Sequence, residues 1–253
     1  MTQPAPIRRA SALLAPDRPF RVLDGCCCIG GATEGLRRAF GPNVHITGVD
    51  IEPQPDYPGD AFHQGDIVDF IRDHGHRFDF IHVSPPCQGE GAPTKGTNRA
   101  RNEAIGRTYP RLIRPVRAAL DATGRPYSIE NVPGSDVRKD IRLCGESFGL
   151  GVLMHRYFEL GGWTTPQPTH PAHRGYVRGW RHGVYRDGPY VAAYGKGGGK
   201  ATVDEIRTAK RIGWSTDHFR LREALPPAYT EWIGRAYLNA LAPSDVRAPG
   251  VAA

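Results

Sequence analysis

Short apolar runs that stop on glycine, aspartate or proline alternate with amphipathic stretches through the first half of the chain, and this alternation restricts the fold more than any other feature. Arg21 to Cys27 reads as a buried strand, Gly30-Gly31 as a turn and Ala32 to Phe40 as a helix. His45 to Ile51 reads as a second strand, and Asp66 to Asp73 as a short helix entered at Gly65-Asp66. Phe78 to Val83 is a further strand, halted by Ser84-Pro85-Pro86 because proline has no N–H to give a ladder. Tyr109 to Ala122 reads as a helix that Pro115 should kink, and Pro126 to Val132 as a strand stopped at Pro133. Strands alternating with helices predict an α/β fold, a mostly parallel sheet with helices on both faces.

Residues 161–200 break the rhythm. They are rich in Gly, Pro and aromatic residues without a clear period, whereas 203–213 and 226–241 read as helices again. The expected organisation is a flexible tail over 1–19, a core over 20–160, a small irregular recognition region over 161–200, and C-terminal helices over 201–253 that complete the core. A chain of 253 residues suits one such domain. No apolar run approaches the roughly 20 residues of a membrane span, and residues 1–19 lack an apolar export segment, so a cytoplasmic monomer is expected, with no membrane partner.

Three segments carry candidate chemistry. Asp24-Gly-Cys-Cys-Cys-Ile-Gly-Gly-Ala-Thr-Glu-Gly-Leu36 takes a strand through a glycine turn into a helix, where backbone N–H groups can face a ligand. Asp50 closes the next strand, a place suited to holding ribose hydroxyls, and Gly65-Asp66-Ile67 follows the third position of the series. The spacing is not GxGxxG, which favours a nucleoside-bearing cofactor over a dinucleotide. A tight turn with no ligand fits this segment equally well. Ser84-Pro-Pro-Cys-Gln88 holds Cys87 on a stiff loop past a strand end, where open α/β sheets bind ligands. Tyr127-Ser-Ile-Glu-Asn-Val-Pro133 brings the Glu130 carboxylate to the neighbouring strand end. Taken alone, Cys87 reads as an ordinary loop cysteine and Glu130 as a solvated strand-end residue.

In this order, Pro86-Cys87-Gln88 followed by Glu130-Asn131-Val132 behind a strand-Gly-Gly start resembles the cytosine-5 DNA methyltransferase family, and its small phage-type members in particular. The match spans residues 21–160 and 219–240. The resemblance implies a Rossmann-like methyltransferase fold, S-adenosyl-L-methionine as cofactor and double-stranded DNA as partner, with phage DNA protection or pairing with a restriction nuclease as settings. It implies that Cys87 attacks carbon 6 of a flipped-out cytosine, that Glu130 holds N3 and the amino group, and that Arg156 contacts the base carbonyl. Asp24, Gly30 and Gly31 would line the cofactor, Asp50 and Ile51 would meet its ribose end, and Asp66 and Ile67 its adenine. Pro86, Gln88, Asn131 and Val132 would face the substrate. Pro226 to Gly234 resembles the closing helix of the cofactor pocket.

The sequence departs from that family where Cys26 replaces an aromatic residue, where Cys28 replaces a glycine, where Leu153 or Met154 stands for an arginine or glutamine, and where Glu223 stands for an asparagine. Residues 161–200 carry Arg174, Arg178, Arg181, Arg186, Lys196 and Lys200 against the single acid Asp187, interleaved with Trp163, Tyr176, Trp180, Tyr185, Tyr190 and Tyr194. Cations with stacking rings suit DNA contact, as does the net charge of +7; a solvated basic loop is the plainer alternative. Cys26, Cys27, Cys28, Cys87 and Cys144 form no disulfide framework and read as reduced thiols. His170, His173 and His182 have no cysteine near them in sequence, so no metal is expected. An RNA cytosine-5 methyltransferase and a non-catalytic DNA-binding relative remain as alternatives. A nicotinamide enzyme is disfavoured by the glycine spacing and by the Cys87/Glu130 pair.

Overall fold

The computed structural model describes residues 18–87, 110–181, 183–193 and 201–241. Gln88, Tyr109, His182, Tyr194, Lys196, Lys200 and the expected tail up to residue 17 lie outside the described residues, as does the side chain of Arg181.

Seven strands form one sheet: β1 (Phe20–Gly25), β2 (Val44–Asp50), β3 (Ala61–Gln64), β4 (Phe80–Val83), β5 (Tyr127–Asn131), β6 (Ile141–Leu143) and β7 (Arg156–Gly161). Their spatial order is β3-β2-β1-β4-β5-β7-β6. β1 to β5 pair in parallel, and β7 runs antiparallel to both of its neighbours. This is the Rossmann-like, mostly parallel architecture that the resemblance implied.

Val22 and Leu23, and likewise Phe80 and Ile81, enter opposite cores, as the two-residue period of a strand dictates. On one face α1 (Gly31–Phe40) packs with the C-terminal helix α6 (Pro227–Leu241), joining Leu36, Phe40, Tyr229 and Tyr237 to Phe80 and Phe158. On the other, α2 (Ile67–His74) and α3 (Ile113–Thr123) enclose Val49, Ile71, Ile81, Val116 and Ile129. Each such side chain contributes about 1.5–3 kcal/mol by leaving water. Two short helices, α4 (Val203–Lys210) and α5 (His218–Glu223), precede α6.

Pro115 introduces no kink. It falls in the first turn of α3, where its missing N–H would have had no helical partner. Residues 161–200 are partly built into the domain: Trp163 and Ala193 join the first core, and Tyr190 is fully buried. A hairpin of β8 (Gly179–Arg181) and β9 (Val184–Arg186) stands out from it. Among the described residues, no helix is long and apolar enough to cross a membrane.

Candidate active site

The strand order reverses between β1 and β4, and the carboxyl ends of β1, β2, β4 and β5 open at that switch point, the usual ligand crevice of such sheets. Val83 pairs with Ile129, so Cys87 and Glu130 leave adjacent strand ends on the same edge. Asn131 Nδ2 donates to the Pro85 carbonyl at 2.8 Å and ties the proline loop to β5. Asn131 is thus buried in a structural clamp rather than offered to a substrate. Pro86 is exposed, Cys87 and Val132 half-buried.

Because β7 is reversed, its first residue, Arg156, starts at the edge where β5 finishes. The Arg156 Nε lies 2.9 Å from Glu130 Oε1. Glu130 is 7% exposed, and Oε1 receives no hydrogen bond: the guanidinium N–H is near but not aimed at it. Burial raises the Glu130 pKa, while Arg156, the Ser84 hydroxyl and Lys210 pull it back. The Cys87 thiol is also raised, first by burial; Arg156 lowers it, whereas Glu130 and Glu223 raise it further. Cys87, Glu130 and Arg156 therefore share one electrostatic neighbourhood.

Beneath them lies a relay that sequence reading missed. Buried His82 sits 2.8 Å from Ser128 Oγ through Nδ1 and 3.0 Å from Ser84 Oγ through Nε2. The Ser84 hydroxyl also supports the Glu130 carboxylate, and each ring nitrogen of neutral His82 faces one hydroxyl, one as donor and the other as acceptor. Burial holds His82 neutral, with its pKa lowered to about 3.

At the end of β1, where the sequence suggested a cofactor, Asp24 is fully buried. Its Oδ2 accepts from Thr33 Oγ1 at 2.6 Å, and the Tyr57 hydroxyl stands 2.7 Å from that same oxygen of Thr33. Asp24 Oδ1 has no hydrogen-bond partner. Burial raises its pKa to about 7 against the lowering by Thr33, and Asp50 raises it further. The Asp50 carboxylate accepts from the backbone N–H of Cys28 (2.9 Å) and of Glu52 (3.0 Å), which leaves lone pairs for ligand hydroxyls. Ile51 beside it is 65% exposed. Asp66 caps α2 by accepting from Val68 and Asp69 N–H, while Ile67 is buried in the second core, not presented to a ligand.

The two glycines serve packing. Gly30 adopts φ +75°, and a Cβ there would meet Pro58 Cδ at 2.4 Å; a Cβ on Gly31 would strike the Leu225 carbonyl oxygen at 2.0 Å. Their absent side chains admit protein, a signal that looks the same in sequence as one that admits a ligand. Cys26 (φ +55°) and Cys28 (φ +49°) are left-handed without being glycine, a conformation costing about 1–3 kcal/mol each. Burial pushes the Cys28 thiol up to about 12 and that of Cys26 higher, so neither is a nucleophile at neutral pH.

Buried Lys210 was also missed. Its ammonium donates to the carbonyls of Leu221 (2.8 Å), Arg222 (2.9 Å) and Ala224 (2.8 Å). These bonds hold the end of α5, from which Leu225 reaches Gly31. Desolvation lowers its pKa, yet three acceptors match the three N–H bonds that only the charged form has.

Residues 161–200 differ from expectation. Arg174 pairs with Glu146 at 2.8 Å and Arg178 with Glu205, so two of the cations expected to meet DNA are engaged within the chain. Arg186 instead lies over the Tyr176 ring, 4.8 Å from its centre. Trp180 and Tyr185 meet edge to face across the hairpin, 68% and 50% exposed. A cleft of ≈ 770 Å³ runs past Leu153, Arg174, Tyr176 and Arg186. The ground for expecting no metal also changes, because the fold brings Cys144 to His155, His170 and His173.

No family model and no curated protein matches the chain. Among solved structures, it is similar to a protein described as a candidate DNA modification methyltransferase encoded within an E. coli prophage (21% identity, TM-score 0.40, 56% of this chain and 46% of that one). It is similar to the S. pombe Dnmt2 methyltransferase (20%, 0.36, 57% and 51%) and to TrmN from Thermus thermophilus (19%, 0.27, 48% and 36%). The chain spans about half the length of the first two. Likeness at this distance assigns neither family nor activity.

Proposed function

We propose that this chain is an S-adenosylmethionine-dependent methyltransferase acting on carbon 5 of cytosine in DNA. The observation that carries the reading is a half-buried thiol sharing one sheet edge with a buried carboxyl whose Oε1 lacks a hydrogen bond, beside Arg156. Such a pair suits a pyrimidine: the carboxyl meets N3 and the exocyclic amine, and the sulfur meets carbon 6.

The cofactor fits the residues present. The unpartnered buried Oδ1 of Asp24 suits a cationic group, Asp50 suits ribose hydroxyls, and exposed Ile51 offers an apolar face to a base. When bound, S-adenosylmethionine supplies a methyl group activated by its sulfonium charge. The Cys87 thiolate adds to carbon 6, and Glu130, holding a proton at N3, favours the enamine that makes carbon 5 nucleophilic. Arg156 stabilises the thiolate before attack. After methylation, loss of the carbon 5 proton expels the sulfur and restores the ring. The cytosine must leave the duplex, at a cost of a few kcal/mol. The exposed Trp180, Tyr185 and Tyr176 with Arg186 supply stacking and phosphate contacts that offset it.

DNA bearing 5-fluorocytosine, incubated with the full chain and cofactor, is expected to give a denaturation-resistant adduct that Cys87→Ala abolishes. An adduct retained in that variant overturns the assignment of the nucleophile. An adduct formed with fluorinated RNA but not DNA assigns the polymer to RNA.

A further inference from the structure

The three histidines and the cysteine set apart from the active site form a group that nothing in the methylation reading uses. Cys144 directly follows β6 and His155 directly precedes β7. Because Leu143 pairs with Arg156 in the antiparallel ladder, these two residues stand across from each other at the strand ends. His170 and His173, spaced as HxxH, come from the segment between β7 and β8.

Four ligand atoms, one from each residue, lie within 4.8 Å of one another. Cys144 Sγ is 3.6 Å from His173 Nε2, and His155 Nε2 is 3.0 Å from His170 Nε2. The rings of His155 and His170 stack at 13°, and the ring of His173 lies 5.3 Å and 5.0 Å from theirs. A tetrahedral zinc with Zn–N of about 2.0–2.1 Å and Zn–S of about 2.3 Å has ligand–ligand edges of about 3.3–3.6 Å. The separations of 3.0 and 3.6 Å lie close to that range.

Hydrogen bonding alone fits the cluster less well. Each close pair can share one proton, which joins the four atoms two by two and gives no reason for all four to converge.

The geometry assigns Cys144, His155, His170 and His173 to a four-coordinate divalent metal site, with zinc as the ion. Three imidazoles and one thiolate form a borderline-soft set that suits zinc, and four protein ligands close the shell, as in structural rather than catalytic centres. Binding releases the Cys144 proton to solvent, takes a lone pair from each neutral imidazole, and leaves the centre singly positive. The ion cross-links the β6–β7 edge to the segment that leads into the β8–β9 hairpin. His155 is the residue before Arg156, so the same ion steadies the start of β7.

Untagged full-length protein, purified without chelator from zinc-supplemented medium, is expected to carry about one zinc per chain by elemental mass spectrometry. Metal-free protein should take up cobalt with the visible bands of a tetrahedral ion and a thiolate charge-transfer band in the near ultraviolet. The double variant His170→Ala/His173→Ala, altered where the chain is half-buried or exposed, should lose most of the zinc, and Cys144→Ser the charge-transfer band. Should Cys144→Ser fail to fold, the band in the unaltered protein still reports sulfur coordination. Unaltered protein with neither zinc nor a cobalt spectrum overturns the site, as does full zinc in the double variant. None of these readouts depends on methyl transfer.

Discussion

Arg156 Nε stands 2.9 Å from Glu130 Oε1 without hydrogen-bonding to it. One guanidinium therefore acts on two groups of opposite need. It offsets the burial that raises the Glu130 pKa, and it favours the thiolate of Cys87. The rate of Cys87 alkylation by iodoacetamide should rise with pH to a midpoint above that of an ordinary thiol. Arg156→Leu is expected to move the midpoint upward and Glu130→Gln downward, with intact-mass analysis locating the label. Identical midpoints in the three proteins would separate Cys87 from this pair.

On the proposed function, Asp24 should make cofactor affinity depend on pH. Its folded pKa of about 7 lies above the ordinary carboxylate range because of burial. The protonated form therefore stabilises the free fold at low pH, and that contribution is lost as pH rises through about 7. A cationic ligand needs the ionised form, so binding below pH 7 should release a proton and weaken by up to about tenfold per pH unit. Calorimetry between pH 5 and 8 in buffers of differing ionisation enthalpy measures both effects, and Asp24→Asn should flatten them.

Much of this fold was legible because apolar strands end abruptly at Asp24, Asp50, Pro85 and Pro133. β3 was missed: all four of its residues are exposed, so no apolar pattern marks an edge strand. β6 has three residues, too few for a period. The Cys87 and Glu130 strand ends could be read from local sequence. The His82 relay and the Lys210 clamp could not, since each joins residues through contacts made only by the fold. The Cys144 cluster shows this most clearly: its members are dispersed from residue 144 to 173, and strand register alone sets Cys144 opposite His155. Gly31 shows the converse, a glycine signal that was present but whose cause, the Leu225 carbonyl, belongs to a segment far along the chain.

Lys210→Met keeps the buried hydrocarbon and removes three donors. The carbonyls of Leu221, Arg222 and Ala224 then lose their partner, and the variant should be less stable by about 3 kcal/mol, given the cost of unsatisfied buried groups. Urea unfolding measures this. A loss below about 0.5 kcal/mol, the scale of surface substitutions, would mean that water or a shifted backbone satisfies these carbonyls.

If DNA is the substrate, the internal pairing of Arg178 with Glu205 withholds a cation from phosphate. Glu205 also accepts from Thr202 N–H in the capping box of α4, a role that glutamine can keep. Glu205→Gln should therefore release Arg178 without unravelling the helix. Non-specific duplex binding, followed by fluorescence anisotropy across a salt series, should tighten, and the slope of log affinity against log salt should steepen by about one phosphate contact. Arg178→Ala removes no phosphate contact but leaves the Glu205 carboxylate unmatched, and should weaken binding only slightly. Arg186→Ala should weaken binding and flatten the slope, because that guanidinium rests on the Tyr176 ring with no carboxylate partner among the described residues. The opposite ranking, with Arg178→Ala the more damaging, would mean that the Arg178–Glu205 pair opens when DNA arrives and that the hairpin is rearranged in the complex.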